Sequence, residues 1–350
     1  MSTPFRVEFE AFFDSLRSDL IESISDMSHF PSLPANVIDR MDKSLAMNAR
    51  GGKYARGMTV IDTATTILTK PLTQDTVKDL FMLGWVIEIQ SAAILVIDDI
   101  MDNSTVRRGK PCWYRRPEVG LAATNDACLL HSITFWILNK YFRTHPGYVD
   151  MVDLMHRSNL ITEIGQTYDN IHTPPGLQGF TREGYNALIT YKTGWFGFTL
   201  PVVLTLHYLG RGNPVNVMQS ERLVVALGNY LQVQDDFLDV FGDPAVLGKV
   251  GTDIQENKLT WMITEALELC TVQQRQELET HYGVRDVESE RKVKDMFKEI
   301  GLEKRYAEYQ ENVIDNINRM ISDVDESEGL SKAIFERILS KCVKRNKWEV

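Results

Sequence analysis

The sequence predicts an all-α protein, and two observations lead to that fold class. Helix-forming residues recur along nearly the whole chain, with apolar side chains near the spacing of one helix face. Sustained alternation of polar and apolar residues between hairpin turns, the pattern of β-strands, is not seen in the sequence. No repeat or low-complexity linker divides residues 1–350, so the simplest prediction is a single domain built as one large helical bundle.

The helices are predicted in order from apolar spacing and from the residues that end helices. The first is closed by Pro31 to Pro34, the second by the turn at 48–52, and the helix ending at Phe241 by Gly242. The fourth holds no proline and would span about 40 Å at about 1.5 Å per residue. The predicted ranges are 5–27, 37–47, 59–68, 75–102, 125–142, 149–170, 182–209, 218–241, 259–282, 288–323 and 330 to about 343.

Two aspartate-rich clusters are the most informative feature of the chain. They read DDIMD at 98–102 and DDFLD at 235–239, and each follows an apolar run. In both clusters the first and fifth residues are four apart, which places their carboxylates on one helix face. A single acidic run is usually a solvated face, but carboxylates next to apolar segments are costly unless something binds them. Oxygen ligands of this kind favour Mg²⁺, which commonly bridges carboxylates to substrate phosphates.

Basic and glycine-rich segments accompany the acidic clusters. The sequence GGKYARG spans 51–57, RRGK spans 107–110 after the first cluster, and GKVGTD spans 248–253 after the second. Each alone is more often a plain turn. Next to carboxylate-bound metal, however, glycine backbone and Lys or Arg side chains would hold a diphosphate. The spacing of 51–57 is not that of a Walker A loop.

A lysine inside an apolar helix marks a further site. Lys192 is followed by Thr193, Gly194 and Gly197, and Pro201 lies close by. The glycines and proline predict a kink that exposes backbone carbonyls, although a bent core helix with a snorkelling lysine fits equally well.

Composition excludes several classes of function. The net charge of −10 argues against nucleic acid as the main partner. The four cysteines are scattered without metal-site or disulfide spacing, the N-terminus has no secretory pattern, and the apolar run 81–97 holds Glu88 and Gln90. We therefore predict a cytoplasmic protein with no membrane span.

The motifs taken together resemble one known family. GGKxxRG, DDIMD with RRGKPCWY, GQTYD, YKT, QVQDDFLD and GKVGTDIQENK stand in an order that resembles the farnesyl diphosphate synthase branch of the trans-prenyltransferases, over about 45–347. The resemblance implies an isoprenoid synthase fold of about ten helices around a central cavity, usually a homodimer. It implies Mg²⁺-dependent head-to-tail condensation of isopentenyl diphosphate with an allylic diphosphate, dimethylallyl or geranyl.

The resemblance also implies a role for each matching residue. Three Mg²⁺ ions, replaceable by Mn²⁺, would be bound directly by Asp98, Asp102 and Asp235, and through water by Asp169 and Asp239. The allylic diphosphate would contact Arg107, Lys192, Lys249 and Lys258. Isopentenyl diphosphate would contact Gly52, Lys53, Arg56, Gln90 and Arg108, with Arg345 and Lys347 closing over it. Thr193 and Gln232 would lie near the developing carbocation.

The chain departs from the family where product length is set. Farnesyl-producing members usually carry two aromatic residues at the positions of Ala93 and Ile94, and these form the floor of the pocket. Smaller side chains would deepen the pocket and favour geranylgeranyl diphosphate or a mixture, unless Trp195 or Ile97 refills the space. Two other functions stay open, a class I terpene cyclase and a non-catalytic partner subunit. Both fit less well, because the chain keeps both acidic clusters.

Overall fold

The computed structural model describes residues 5–26, 30–171, 176–243 and 251–345 of the chain. Helices make up most of these residues, which confirms the predicted all-α fold class. The chain divides into two compact units, one of Met1–His156 with Leu200–Val217 and one of Arg157–Thr199 with Met218–Val350. The prediction of a single domain is not tested by this division.

The first unit contains the N-terminal helices. Its members are α1 (Arg6–Ser25), α2 (Ala35–Ala49), α3 (Ala55–Ile67), α4 (Gln74–Met101), α5 (Ala123–Phe142), α8 (Leu200–Tyr208) and the first residues of α6 (Tyr148–Ile171) and α9 (Pro214–Phe241). Helix α4 packs against α3, α5 and α2, and its side chains from Leu80 to Ala93 are buried on all sides. The predicted long helix is therefore the core helix of this unit.

Helices α3 and α4 pack closely because two glycines meet. A Cβ atom added to Gly57 would lie 3.1 Å from the carbonyl oxygen of Gly84, and one added to Gly84 would lie 3.1 Å from that of Gly57. Next to them the Phe9 ring stacks on Trp85 at 4.8 Å, and the indole N–H of Trp85 donates to the Phe9 carbonyl at 2.9 Å. This packing fixes the start of α3 relative to α4.

The sequence predicted no strands of consequence, and the described residues contain one short hairpin. Val106–Arg107 pairs antiparallel with Lys110–Pro111. The two turn residues, Arg108 and Gly109, have φ values of 53° and 72°. Positive φ at both central residues is the geometry of a type I′ hairpin turn. The RRGK segment therefore folds back tightly and turns the two arginine side chains apart.

The second unit contains α7 (Arg182–Ile189), a π-helix (Thr190–Thr199), the rest of α6 and α9, and five later helices. These are α10 (Trp261–Leu269), α11 (Val272–His281), α12 (Val287–Ile300), α13 (Leu302–Ser322) and α14 (Lys332–Arg345). Its core includes Tyr185, Trp261, Met262, Phe297 and Tyr306. The Phe237 ring of α9 stacks on the Tyr306 ring of α13 at 3.8 Å.

Three predicted helices differ from the structure in an instructive way. The range 259–282 is two helices, because Thr271 makes a capping box with Gln274 and starts α11 there. The range 288–323 is also two, because Gly301 takes a φ of 84° and ends α12. The predicted kink in 182–209 is the π-helix, an uncommon conformation that is frequent at functional sites.

Two helical segments are long and apolar enough to cross a membrane, judged by length and composition alone. They are Gln74–Met101 and Gly120–Phe142, and their most apolar windows are 83% and 44% buried within the described fold. Burial against neighbouring helices accounts for the apolar character of α4. The apolar surface of α5 is covered less completely by the described fold.

Candidate active site

The first acidic cluster lies at the C-terminal end of α4 in the first unit. Asp98 keeps 18% of its side-chain surface exposed, whereas Asp99 is buried at 3%. The Arg107 guanidinium donates to Asp99 Oδ1 through Nε at 3.0 Å and Nη2 at 2.6 Å, and Nη2 lies 3.6 Å from Asp98 Oδ2. Burial lowers the pKa of Arg107, but the bonds and charge of Asp99 outweigh it and raise the pKa. The hairpin is thus held to the acidic helix by Asp99, a residue with no predicted role.

Arg108 points the other way and organises the glycine-rich loop. Its Nη1 donates to the carbonyl oxygens of Asn48 at 3.0 Å and Arg50 at 2.5 Å, at the C-terminal end of α2. A Cβ atom on Gly52 would lie 3.1 Å from Arg108 Nη2, so the guanidinium packs closely against this glycine. The structure therefore brings two of the predicted isopentenyl diphosphate residues, Gly52 and Arg108, into contact.

Arg56 lies beside this loop in the first turn of α3 and contacts α4. Its Nη1 donates to Ser91 Oγ at 3.3 Å. The Oε1 of the adjacent Gln90, which we predicted for the same site, lies 3.1 Å from His131 Nδ1 and 3.4 Å from Thr134 Oγ1 on α5. The role of Gln90 in the isopentenyl diphosphate site stays a prediction.

Electrostatics around the loop favour an anion. Burial lowers the pKa values of both Arg56 and Arg108, and Glu88 offsets this shift in part. Burial raises the pKa of Glu88. The backbone N–H of Gly57 donates to Glu88 Oε1 at 2.8 Å, and this hydrogen bond counteracts the rise. A surface cavity here is lined by five cations and one carboxylate, namely Arg50, Arg107, Arg108, Lys110, Arg116 and Asp99. The excess of positive charge suits a diphosphate. Lys53 is exposed at the edge of the loop.

The residues predicted to set product length lie one turn before the acidic cluster. Ala93 is buried at 5% and Ile94 is half-buried on α4. Their role in the product pocket stays a prediction.

The second acidic cluster lies at the C-terminal end of α9 in the second unit. Asp235 is half-buried, and Asp239 is buried and accepts the backbone N–H of Asp253 at 3.0 Å. Asp236, between them, accepts from Tyr185 Oη at 2.6 Å, Trp261 N at 2.9 Å and Gln232 Nε2 at 2.8 Å. Burial raises the pKa of Asp236 to about 6, and these three hydrogen bonds limit the rise.

Two predicted lysines meet a predicted carboxylate in this unit. Lys192 Nζ lies 2.5 Å from Asp169 Oδ2, and Lys258 Nζ lies 3.6 Å from the same oxygen. Burial raises the pKa of Asp169, but the charges of Lys192 and Lys258 outweigh it and hold the pKa below its usual value. Thr193 Oγ1 donates to Gln232 Oε1 at 2.9 Å, so the predicted carbocation pair is also in contact.

Glycines let neighbouring helices approach the π-helix that carries Lys192 and Thr193. A Cβ atom on Gly165 of α6 would lie 2.5 Å from the backbone nitrogen of Lys192, and one on Gly228 of α9 would lie 2.6 Å from the Cα of Gly194. Both contacts are with backbone, so side-chain movement cannot relieve them. The π-helix is therefore fixed from two sides.

The carboxylates fit Mg²⁺ by their chemistry, since all are hard oxygen donors. Within the part of the chain that the structure describes, no three His, Cys, Asp or Glu groups converge to hold an ion by themselves. Ions that share their ligands with a bound diphosphate would need no such group. Of the other predicted residues, Lys249 and Lys347 lie outside the described residues, and Arg345 is the last residue of α14.

Four residues of these arrangements have no role predicted from the sequence. Asp99 and Asp236 are the second residues of their clusters and lie off the face that the first and fifth residues share, while Ser91 and Tyr185 belong to no motif. The spacing of Gln232 and Asp236, four apart on one helix, was the signal that could have found one of them.

Comparison with known proteins points to one family of enzymes. The polyprenyl synthetase family matches residues 38–300. Farnesyl pyrophosphate synthase of Schizosaccharomyces pombe is 40% identical over 97% of this chain and 99% of its own length. The enzyme of the same name from Bos taurus is 38% identical over 98% and 96%. The structure of T. brucei farnesyl diphosphate synthase complexed with homorisedronate superposes with a TM-score of 0.89, at 33% identity over 96% of this chain and 99% of that one.

The fold and the paired clusters thus define a class of enzyme, the prenyltransferases that use diphosphate substrates. The chain belongs to the polyprenyl synthetase family, which confirms the resemblance found in its sequence.

Proposed function

We propose that the protein makes farnesyl diphosphate by joining isopentenyl diphosphate head to tail to dimethylallyl diphosphate and then to geranyl diphosphate. The observation that carries the proposal is the pairing of carboxylates with basic side chains in each of the two units. Asp98 and Asp99 lie with Arg107 in one unit, and Asp169 lies with Lys192 and Lys258 in the other. Near-full-length relatives named farnesyl pyrophosphate synthase support the product.

The longer C20 product is not favoured, although Ala93 and Ile94 are small for a pocket floor. Curated relatives at about 40% identity carry the farnesyl name. A terpene cyclase or a non-catalytic subunit is also not favoured, because both acidic clusters and the loop at Gly52 and Arg108 are in place.

Bound Mg²⁺ supplies positive charge that makes diphosphate a better leaving group. We propose three ions, held directly by Asp98, Asp102 and Asp235 and through water by Asp169 and Asp239, with Mn²⁺ as a substitute. The protein's cations add to that neutralisation: Arg107, Lys192, Lys249 and Lys258 would contact the allylic diphosphate.

Ionisation of the allylic substrate leaves a carbocation that must be stabilised and kept dry. We propose that the oxygens of Thr193 and Gln232 face it. The double bond of isopentenyl diphosphate attacks the cation, and released diphosphate takes the proton that is lost. Gly52, Lys53, Arg56, Gln90 and Arg108 would hold the second diphosphate, and Arg345 and Lys347 would close over it and exclude water.

Substitution of the carboxylates tests the site. Asp98→Asn, Asp102→Asn and Asp235→Asn should each lower kcat by at least about 10²-fold. Each change removes a carboxylate that would hold the metal, and the metal's positive charge stabilises the leaving diphosphate. Asp153→Asn, an exposed carboxylate on α6, is the control and should keep wild-type rates. Wild-type rates in all three cluster variants would contradict the assignment. Full activity in excess chelator would contradict the dependence on Mg²⁺.

We also propose that the protein is a homodimer formed through α5. Leu121, in the turn just before α5, is 71% exposed, and Trp136 on α5 is 36% exposed. Exposed apolar surface of this kind is typical of an interface, and it explains the low burial of an apolar helix. Trp136→Glu should shift the sedimenting species from dimer to monomer, whereas a wild-type protein that sediments as a monomer would refute the proposal.

We also propose a cytoplasmic location without a membrane span. The four cysteines form no disulfide with one another, as in proteins of reducing compartments. Cell fractionation tests it directly, and recovery of the protein in the membrane pellet would contradict it.

A further inference from the structure

The second aspartate of the DDFLD cluster is placed differently from the first and fifth. Asp236 is buried at 3%, and both of its carboxylate oxygens are occupied by protein donors. Oδ2 accepts from Tyr185 Oη at 2.6 Å and from the backbone N–H of Trp261 at 2.9 Å. Oδ1 accepts from Gln232 Nε2 at 2.8 Å. Asp236 thus accepts hydrogen bonds from three donors within the fold. One of these donors, Gln232, lies one turn earlier on α9.

The direction of these hydrogen bonds is fixed by chemistry. A carboxylate only accepts, so Gln232 must turn its NH₂ group to Asp236. Its carbonyl oxygen is then the group that meets Thr193, and the Thr193 hydroxyl donates to it at 2.9 Å. Because that hydrogen is used, the Thr193 oxygen can present only lone pairs in other directions. One buried acid thereby sets the polarity of two side chains.

We propose that Asp236 is a positioning residue that orients Gln232 and Thr193 so that oxygen lone pairs, and not N–H or O–H hydrogens, meet the allylic carbocation. The inference rests on the proposed function, in which these two side chains face the cation. Oriented dipoles that are fixed before the reaction stabilise developing charge without reorganisation. With the opposite polarity the same two side chains would repel the cation.

The variant Asp236→Asn tests this polarity with little change of shape. Tyr185 and Trp261 both donate to one oxygen, so asparagine can keep its carbonyl there and place its NH₂ at Gln232. Two NH₂ groups cannot hydrogen-bond to each other, so the Gln232 amide should turn over and present its hydrogens to Thr193. We expect kcat to fall about 10²-fold. The KM values for both diphosphates should stay within about three-fold, since neither is contacted by this group.

A compensating change separates polarity from a general loss of packing. In the double variant Gln232→Glu with Asp236→Asn, the asparagine donates to the glutamate, whose second oxygen accepts from Thr193. The formal charge equals that of the wild type. We expect the double variant to recover at least about ten-fold of the rate lost in Asp236→Asn, whereas Gln232→Glu alone sets two carboxylates together and should be slow. Tyr185→Phe, which removes one donor but keeps the polarity, should stay within about three-fold of wild-type kcat.

The decisive comparison is kcat, both KM values and the Mg²⁺ concentration for half-maximal rate in all five enzymes, with Tm as a check of folding. Recovery in the double variant, with Mg²⁺ dependence unchanged, supports the proposal. A folded double variant as slow as Asp236→Asn overturns it, and so does a rate loss that excess Mg²⁺ restores. If Asp236→Asn does not fold, Gln232→Leu takes its place in the comparison. Gln232→Leu should then lose about 10²-fold in kcat at unchanged KM. Wild-type kcat in Gln232→Leu would also overturn the proposal. A wild-type enzyme that condenses no substrate contradicts the proposed function instead.

Discussion

Replacement of Gly165 by alanine should damage the enzyme far beyond what a single methyl group usually does. The new Cβ would lie 2.5 Å from the Lys192 nitrogen, 2.6 Å from the Lys192 Cα and 2.6 Å from the Tyr191 carbonyl carbon. Carbon atoms in contact prefer about 3.5–4.0 Å. The π-helix and α6 must therefore move apart by roughly 1 Å, because the atoms involved are all backbone.

This movement should have separate effects on the free energy of unfolding and on kcat. Overpacking of this kind costs about 1–3 kcal/mol of unfolding free energy. A displacement of roughly 1 Å in a positioned catalytic group lowers the rate by about 10²-fold. Lys192 and Thr193 both lie in the displaced π-helix. The condensation assay measures kcat, and urea unfolding followed by circular dichroism measures the stability.

Gly197→Ala is the matched control for stability, since Gly197 lies in the π-helix that Gly165 contacts. A Cβ at Gly197 meets no heavy atom within 4 Å, so the substitution should be neutral or should stabilise the helix by up to about 1 kcal/mol. The reasoning fails if Gly165→Ala keeps wild-type kcat and is as stable as Gly197→Ala.

Further predictions concern three other positions. Asp169→Asn leaves two lysines without their shared counter-charge, so it should lower the unfolding free energy by about 1–3 kcal/mol and reduce kcat, and an unchanged urea midpoint would contradict this. Arg108→Lys loses the hydrogen bonds that Nη1 donates to the carbonyls of Asn48 and Arg50, so the KM for isopentenyl diphosphate should rise more than that for geranyl diphosphate; equal changes would speak against it. Burial lowers the pKa of His207 from 6.5 despite the charge of Asp150, so the folded state resists protonation and loses stability as the pH falls below 6.5. The Tm of His207→Gln should therefore decline less than that of the wild type between about pH 7 and 5, and parallel declines would refute this.

Sequence reasoning reached the fold because helix spacing persists over the whole chain, but it missed where helices break. Thr271 with Gln274 and the single Gly301 were readable stop and start signals inside ranges predicted as continuous helices. Apolar spacing on either side of each break keeps a helical period, so periodicity alone joins two helices into one. The hairpin at Arg108 and Gly109 is too short to show any alternation.

The site was predictable where residues act as pairs with a fixed spacing, and less so elsewhere. The acidic clusters, and Lys192 with Thr193, are recognisable because charged or polar residues stand beside or within apolar helical segments. The contact of Gln90 with His131 could not be predicted, because α4 is buried on every side and apolar spacing does not show which residues face which neighbouring helix. The contacts of Arg56 with Ser91 come from tertiary packing between α3 and α4, which a single sequence does not encode as a motif.

The product is the most direct test of the whole account, because it reports the reaction and the depth of the pocket together. Purified protein is incubated with Mg²⁺, isopentenyl diphosphate and the C5, C10 or C15 allylic primer, and the dephosphorylated products are identified by gas chromatography with mass spectrometry. The account predicts farnesol from the C5 and C10 primers and no extension of the C15 primer, so that other side chains close the pocket beside Ala93 and Ile94. Geranylgeraniol from the C15 primer would contradict the product, and no condensation with any primer would contradict the enzyme.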